Sequence, residues 1–425
     1  MFATMSVTTV SVPVMSCPPL PAATGGGLLA PLCLFVSCAT PVADSDFAAV
    51  RLDIAQHFAN VPDPRHRCFR DHHLLDDILV IGLTAVLCGA KSWEAIADFG
   101  VTKEAWFRSL GLKLPNGVPS HDTFNRVFAA MNPPAFRDAF TSWISSVCGA
   151  LGFCHIPIDG KALRGSPGPD GTCLHLVSAW VYEQRLTLAQ VAVANKSNEI
   201  TAIPMLLKML DVAGALVSID AMGCQKDIAR EIRVGGADYL LAVKDNQPTL
   251  HADVQACFAR AQASNFAGVK HEVLTTSEVK HGRQEERVYT VIYEPTGLST
   301  QDEWQDLKTV VKVERTVRQG DKQSKEVAHY ISSSTARAKV LADGVRHHWS
   351  IENSQHWVLD VVFAEDRCRT RQGHAAENLA WLRKMALGIF GQDKSKGSIP
   401  TRQFRAAADD TYRLHLLHIL SVEYA

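Results

Sequence analysis

The chain has 425 residues, 47% of them hydrophobic, so it can bury substantial hydrophobic cores in two or three domains. Its 43 Lys and Arg residues nearly balance its 44 Asp and Glu residues, so the net charge indicates no polyanionic partner. Nucleic-acid binding would have to depend on local basic patches. The 11 cysteines include no CxxC pair, which excludes a zinc ribbon or a redox dithiol and is typical of a cytoplasmic protein.

The first 43 residues contain no charged residue and no histidine. Their most hydrophobic part, residues 28–39, is shorter than the roughly 20 residues that a membrane span needs. No basic segment precedes it, as one would in a secretory signal. We therefore expect no membrane association, and either a disordered tail over residues 1–45 or a working protein that begins near Val50.

Residues 46–150 have a helical periodicity that predicts a compact all-α domain. Helices are expected over residues 71–87 and 92–110, Ser120 is a candidate N-cap of the next helix, and Pro133 begins another. Four metal-binding side chains in this region match no standard site in their spacing. They are His66, Cys68, His72 and His73.

From residue 153 the pattern changes to that of a mixed α/β domain, which we expect to extend to residue 392. Residues 269–333 have strand patterns throughout and are interpreted as a β-rich insertion. Residues 393–425 predict a basic tail that ends in a helix. The strands expected before the insertion lie at residues 154–158, 172–181, 186–194, 215–219 and 238–243. The helices expected there lie at residues 199–210, 225–233 and 248–263.

Three carboxylates are candidates for catalysis. Asp159 and Asp220 each follow a predicted strand and precede a glycine-containing turn, a position from which α/β sheets project functional groups. Glu352 lies in RHHWSIENSQHWVLDVVFAED, residues 346–366, whose apolar residues recur at helical spacing. Oxygen ligands suit hard divalent cations, and two such ions can activate an attacking oxygen and stabilise a leaving one. The spacing therefore predicts a Mg²⁺ pair that serves phosphodiester chemistry. Rival third carboxylates are Glu365 and Asp366.

Basic and amide side chains close in sequence to these carboxylates suit a polyanion. Each could be a solvated surface group, but their clustering favours contact with phosphates or bases. The candidates for DNA contact are Lys161, Arg164, Lys226, Lys244, Asn246 and Gln247.

Several long motifs follow one another along the chain: IDGKALRGS, HLVSAWV, KSNEITAIPMLL, SIDAMGCQKDIA, GADYLLAVKDNQPTL, HGRQEERVYTV, the segment around Glu352, and AAENLAWLRKMAL. By these motifs, residues 58–417 resemble the ISAs-type (H-repeat-associated) insertion-sequence transposases of the Asp-Asp-Glu (DDE) superfamily. The resemblance implies an RNase H-like mixed sheet with a β-rich insertion, preceded by a helical transposase-associated domain. It also implies that Asp159, Asp220 and Glu352 are the metal-binding catalytic triad.

The resemblance further implies cleavage at the ends of an insertion element and attack of the freed 3′ hydroxyl on target DNA. Two Mg²⁺ ions, which Mn²⁺ is expected to replace, would support both steps. The implied partners are double-stranded DNA, as terminal inverted repeats and as target, and further copies of the chain in a homo-oligomer on DNA. The implied location is the cytoplasm, at the nucleoid when DNA is bound.

The chain departs from the wider superfamily near the catalytic glutamate. A basic residue usually stands four positions before it and a lysine seven positions after it, whereas this chain has His348 and Leu359 there. We hypothesise that Arg346 and His356 provide the missing phosphate contacts.

Two other functions are compatible with parts of the sequence. A catalytically idle, transposase-derived DNA-binding protein would bind terminal repeats without Mg²⁺-dependent nicking. A carboxylate-pair hydrolase such as a glycosidase would use the same aspartates, but no aromatic sugar platform accompanies them.

Overall fold

The structure is a computed structural model that describes residues 58, 60–65, 73–148, 155–168, 171–193, 199–280 and 282–419. Predictions for the tail over residues 1–45, for His66, Cys68 and His72, and for residues 420–425 lie outside the described residues.

The described residues between Leu75 and Cys148, before the sheet, form helices. The Ser120 hydroxyl accepts a hydrogen bond from the Thr123 N–H at 3.4 Å, which confirms the predicted N-cap. The single helix expected over residues 92–110 is in fact two helices: the first ends at Thr102 and the second begins at Glu104. The helices are α1 (Leu75–Leu87), α2 (Trp93–Thr102), α3 (Glu104–Ser109), α4 (His121–Ala130) and α5 (Pro133–Cys148).

Nine strands of the described residues form one mixed sheet in the order β3-β2-β1-β4-β5-β9-β8-β7-β6. Strands β1, β4 and β5 run parallel, and the other neighbouring pairs are antiparallel. The strands are β1 (His155–Pro167), β2 (Cys173–Val181), β3 (Leu186–Val193), β4 (Leu216–Ile219), β5 (Asp238–Val243), β6 (His271–Lys280), β7 (Arg283–Tyr293), β8 (Thr309–Gln319) and β9 (Lys322–Ser332).

Strand β1 does not end before Asp159, as the sequence pattern predicts, but continues to Pro167. Asp159 pairs with Ser178 of β2 within the ladder. Gly160, which indicates a turn in the sequence, serves instead for close packing, because a Cβ atom there would clash with the side chains of Glu199 and His175.

The predicted β-rich insertion forms strands β6 to β9, but these strands extend the same sheet instead of standing apart from it. Strand β9 pairs with β5 from Leu240↔Ser332 to Val243↔His329. This pairing satisfies the backbone groups that β5 would otherwise expose at an open sheet edge.

The remaining helices pack on the two faces of the sheet. Strand β5 and helix α8 have the predicted bounds, and the predicted last helix is two helices, α12 and α13. The helices are α6 (Glu199–Lys208), α7 (Lys226–Val234), α8 (Pro248–Ala263), α9 (Ala338–His348), a π-helical segment (Glu352–His356), α10 (Trp357–Val361), α11 (Ala375–Gln392), α12 (Ile399–Ala408) and α13 (Asp410–His418).

One large buried cluster joins the helices of residues 73–148 to the sheet and to α11. A second cluster lies between α9 and the opposite face of the sheet and includes Leu216, Leu240, Leu341 and Val345. Within the described residues, no helix combines the length and the apolar character that a membrane crossing requires.

Candidate active site

The two predicted aspartates lie side by side. Strands β1 and β4 are parallel neighbours whose register pairs Ile158 with Ile219, so Asp159 and Asp220 occupy the next positions along the two strands. The Asp159 Oδ1 atom accepts a hydrogen bond from the Gly160 N–H at 2.8 Å. The Asp220 Oδ1 atom accepts one from the Gly223 N–H at 3.2 Å. Both carboxylates are half-buried.

Glu352 opens the π-helical segment that crosses beside Asp159. The segment is held in place by Gln355, which is fully buried and donates a hydrogen bond to Thr187 Oγ1 at 2.7 Å. At the end of the segment, His356 Nδ1 lies 3.5 Å from Asp159 Oδ2. Glu352 itself is exposed, one turn before His356.

Polar side chains recur at a spacing of four residues through this stretch. His348, Glu352, His356 and Asp360 recur every four residues, which in an α-helix would rotate each step by about 40°. The wider i→i+5 turn of a π-helix offsets part of that rotation. As a result His348 contacts Ser218, His356 contacts Asp159, and Asp360 contacts Lys161.

Negative charge accumulates around Asp159. Burial, together with the nearby carboxylates of Asp220, Glu199 and Glu352, raises the pKa of Asp159 to about 7 in spite of the lowering effect of the Gly160 N–H. Burial also lowers the pKa of His356 to about 3, so this imidazole is neutral at physiological pH and provides no balancing charge. A cation beside Asp159 would stabilise its ionised form.

The donor chemistry of this site suits Mg²⁺, because all three candidate ligands are carboxylates. In the part of the chain that the structure describes, no three His, Cys, Asp or Glu side chains converge into a metal-binding group. Asp159 and Asp220 are adjacent, whereas Glu352 stands apart from them. Mg²⁺ commonly binds one or two protein carboxylates and completes its shell with water and substrate phosphates.

A chain of neutral side chains holds α9 against the sheet next to Asp220. Ser218 Oγ lies 2.8 Å from His155 Nε2 and 2.9 Å from His348 Nδ1. Burial lowers the pKa of His348 to about 4, although the Asp220 carboxylate partly opposes this effect. His348 is therefore a neutral positioning residue where the wider superfamily has a cation. Sequence reasoning missed Ser218 and His155, although the strand alternation places each of them on the same face as one of the aspartates.

A buried lysine binds the cross-strand partner of Asp159. Lys384 Nζ donates hydrogen bonds to Ser178 Oγ at 2.7 Å and to Gln190 Oε1 at 2.6 Å. Ser178 is the cross-strand partner of Asp159. Burial lowers the pKa of Lys384 to about 8. No local signal in the sequence relates Lys384, on the distant helix α11, to the carboxylates.

Lys161, a predicted DNA contact, is instead a buried structural cation. It is 8% exposed, and its Nζ atom lies 2.7 Å from Asp360, 3.1 Å from Glu365 and 3.2 Å from Asp366. Three carboxylates thus surround its ammonium group and balance its charge. The rival third carboxylates, Glu365 and Asp366, are the partners of Lys161.

Asn246 and Gln247 donate to backbone carbonyl groups instead of facing a ligand. Asn246 Nδ2 donates to the carbonyl oxygen of Ala221, and Gln247 Nε2 donates to that of Cys224 at 2.9 Å. Both amides therefore brace the loop that follows Asp220. Each amide keeps a second N–H group, so their contact with DNA stays a prediction.

The other candidates for DNA contact are more accessible. Arg164 and Lys244 are exposed. Lys226 is exposed and forms an ion pair with Glu303, and Arg346 Nη2 lies 3.5 Å from Glu278 Oε2. Exposed cations can exchange such surface partners for phosphate.

Comparison with known proteins identifies the family. The family described as "Transposase DDE domain" matches residues 151–389, and the one described as "DDE_Tnp_1-associated" matches residues 55–144. The "H repeat-associated putative transposase YhhI" of Escherichia coli K12 is 38% identical over 372 residues, which cover 86% of this chain and 97% of that protein. The "Putative transposase YncI" of Escherichia coli O157:H7 is 39% identical over 373 residues, 84% of this chain and 93% of that protein. A cryo-EM structure of the piggyBac transposase synaptic complex with hairpin DNA aligns with 89% of this chain and 77% of its own, but the TM-score of 0.39 and 9% identity are too low to support a conclusion. The sequence motifs and these relatives agree: the chain belongs to the DDE family of transposases, alongside its H repeat-associated members.

Proposed function

We propose that this protein cuts DNA at the ends of an insertion sequence and joins the freed 3′ hydroxyl groups to target DNA. Asp159, Asp220 and Glu352 would hold two Mg²⁺ ions, with Mn²⁺ as a substitute. We also propose that β1 to β5 form an RNase H-like core, that residues 73–148 form the helical transposase-associated part, and that several copies act together on DNA in the cytoplasm.

The observation that best supports this proposal is that Asp159 and Asp220 are neighbours and that the segment carrying Glu352 lies beside Asp159. The register of β1 and β4 sets Asp159 beside Asp220. The 3.5 Å contact from His356 to Asp159 brings the segment that carries Glu352 to the same place. This arrangement supports a shared role for Asp159 and Asp220, with Glu352 on the adjoining segment.

Bound Mg²⁺ would activate the attacking oxygen and stabilise the leaving oxygen of the phosphodiester. The protein's own contribution is positional. Asp159 and Asp220 are fixed by the N–H groups of Gly160 and Gly223. Glu352 is exposed at the start of a π-helical segment and can approach a bound substrate. Arg164, Lys226 and Lys244 are proposed to contact the DNA backbone.

A nicking assay tests this proposal. A supercoiled plasmid that carries the DNA flanking the gene is incubated with the full chain and Mg²⁺, Mn²⁺ or EDTA. We expect nicking with either metal and none in EDTA. Asp159→Asn, Asp220→Asn and Glu352→Gln should each abolish nicking and leave DNA binding within about twofold of wild type, because binding relies on the basic residues.

Asp211→Asn is the matched control, because Asp211 is an exposed carboxylate at the opposite end of β4. It should nick like wild type. Full nicking by any of the three site variants would remove that residue from the catalytic set. DNA binding by the wild-type chain without nicking would identify an idle DNA-binding protein instead.

A further inference from the structure

Strand β6 is the last strand at one end of the nine-stranded sheet, and in the described part of the chain no strand pairs with its outer edge. It runs for 10 residues, His271–Lys280, in an unbroken antiparallel register with β7, and it contains no proline and no glycine. At the opposite end of the sheet, β3 is largely buried and lies against α5, α6 and α11. A long, regular edge such as that of β6 is a template for pairing with another strand.

The backbone groups at the outer edge of β6 belong to alternate residues. The Lys270 carbonyl oxygen accepts a hydrogen bond from the Tyr293 N–H at 2.9 Å, and the ladder continues from the next pair, His271 with Ile292. Bonded and non-bonded pairs alternate along an antiparallel ladder. The N–H and C=O groups of even-numbered residues therefore face β7, whereas those of odd-numbered residues face the outer edge. These odd-numbered residues are His271, Val273, Thr275, Ser277 and Val279.

Strand β6 also carries exposed apolar side chains. Val273 and Val279 are 47% and 71% exposed. By the alternation of the strand they lie, with Thr275 and Ser277, on the face of β6 opposite to that of the buried Leu274. β-Branched side chains stabilise a sheet when they stand opposite one another on neighbouring strands. The two valines therefore suit a further strand at this edge.

In one antiparallel register β6 is complementary to itself. With Thr276 on a two-fold axis, Val273 stands opposite Val279 of a second copy, and Glu272 stands opposite Lys280. Residues with odd numbers then face one another, so their outward N–H and C=O groups can exchange hydrogen bonds. Apolar side chains, charges and backbone groups are thus all matched in the same register.

The neighbouring registers lack this match. An axis at Thr275 keeps the backbone bonding but sets Glu272 opposite Glu278, and like charges placed in this way destabilise a sheet. An axis at Ser277 separates the two valines and shortens the overlap. An axis between two residues sets odd-numbered residues against even-numbered ones, whose backbone groups already face β7.

We propose that β6 is an interface between two copies of this chain, which pair antiparallel about Thr276 and join their two sheets into one. The inference rests on the proposed function, in which several copies act together on DNA, and names the surface through which two of them associate. A symmetric dimer uses the same surface twice, so that surface must be complementary to itself. The register about Thr276 meets this requirement, which is why the partner is a second copy.

Cysteine cross-linking of the full chain without DNA tests the register. In the proposed dimer the two Thr276 Cα atoms lie about 4.5 Å apart, within reach of a disulfide, whereas the two Thr275 Cα atoms are more than about 7 Å apart. Oxidation with copper phenanthroline should therefore convert Thr276→Cys into a covalent dimer on a non-reducing gel. Thr275→Cys and Ser277→Cys should give no more dimer than wild type, whose 11 cysteines set the background.

Two charge reversals test the pairing independently. Lys280→Glu and Glu272→Lys should each weaken self-association about tenfold, because each sets like charges opposite one another at both ends of the interface. An equimolar mixture of the two variants should associate as wild type does, since opposite charges then meet again at both ends. Sedimentation equilibrium measures the dissociation constants. Recovery in the mixture would also show that neither variant is misfolded.

Lys325→Glu is the matched control, because Lys325 is exposed on β9 and not on the edge strand, so this variant should associate as wild type does. A wild-type chain that stays monomeric would overturn the inference, as would equal cross-linking of the three cysteine variants. So would a mixture that associates no better than its separate components. If the chain nicks plasmid DNA but does not associate through β6, only the interface assignment fails. If it associates through β6 and does not nick DNA, the interface stands and the proposed function fails.

Discussion

At the scale of single residues, Asn246 and Gln247 support the loop after Asp220, while their contact with DNA stays a prediction. Their sequence position after a strand suggests exposed amides that face DNA. In the structure they donate to the carbonyl oxygens of Ala221 and Cys224, in the loop that begins after Asp220. They connect the end of β5 to the end of β4 and thereby fix where the Asp220 carboxylate lies.

Replacing both amides should therefore impair metal use and spare DNA affinity. We expect Asn246→Ala combined with Gln247→Ala to raise the Mg²⁺ concentration for half-maximal nicking by about tenfold, a typical effect of losing groups that support a metal ligand. Lys244→Ala, at an exposed neighbouring position, should do the reverse and weaken DNA binding without changing the Mg²⁺ requirement. Titrations of nicking with Mg²⁺ and of binding in EDTA measure the two effects. Loss of DNA affinity in the amide variant would restore their predicted role as DNA contacts.

At the scale of elements, the position of Glu352 depends on what anchors the stretch around it. His348 ties the end of α9 to β4 through Ser218, and Lys161 ties the far end of α10 to β1 through Asp360. Burial alone would lower the pKa of Lys161, but the surrounding carboxylates of Glu365, Asp360 and Asp366 outweigh burial and raise it. Glu352 lies between these two contacts along the chain, so both of them together determine its position.

Lys161→Met should destabilise the fold because it leaves three carboxylates around an empty position. The expected loss in the free energy of unfolding is about 3 to 5 kcal/mol, the usual result of removing one partner of a buried ion pair. Adding Glu365→Gln, which removes one of the buried charges, should recover part of that loss. Chemical denaturation followed by circular dichroism measures both variants. A Lys161→Met protein as stable as wild type that merely binds DNA less tightly would show that Lys161 contacts phosphate after all.

The sequence pattern predicts the bounds of an element correctly where the residues at its own ends determine them. Strand β5 and helix α8 begin and end where the pattern predicts, because Pro248 suits a first helical turn and residues 238–243 form a short buried run. The extension of β1 beyond Asp159 escapes this reasoning. Gly160 reads as a turn residue until Glu199 and His175, which pack against it, are known.

The same holds for the candidate site, where the sequence predicts the carboxylates but not the residues that hold them in place. Asp159, Asp220 and Glu352 stand out by residue type and position, and the family resemblance selects the same three. The partners that hold the site, Ser218 and Lys384, are ordinary residues in the sequence. Their relation to the site depends on contacts between segments far apart in the chain, which periodicity cannot predict.

At the scale of the whole molecule, helix α11 joins parts of the chain that the sequence pattern separates. Leu379, Trp381 and Leu382 belong to the same buried cluster as the helices of residues 73–148 and the sheet. Asn378 Nδ2 donates to the carbonyl oxygens of Phe128 at 2.8 Å and Met131 at 3.0 Å. The helices of residues 73–148 thus share a buried cluster with the mixed α/β part.

Because the helices of residues 73–148 and the sheet share one buried cluster, truncation of a large buried side chain of α11 should destabilise both of them together. Trp381 is fully buried, and its ring lies 4.5 Å from the ring of Phe140 between centroids. Trp381→Ala should lower the free energy of unfolding by about 3 to 5 kcal/mol, as truncation of a large buried aromatic residue does. Amide hydrogen exchange should show equal loss of protection in α4 and in β3, whereas Phe404→Ala, at an exposed position of α12, should leave protection unchanged. If protection falls in the sheet while α4 keeps that of wild type, residues 46–150 fold as an independent domain, because only separate cores can lose stability separately.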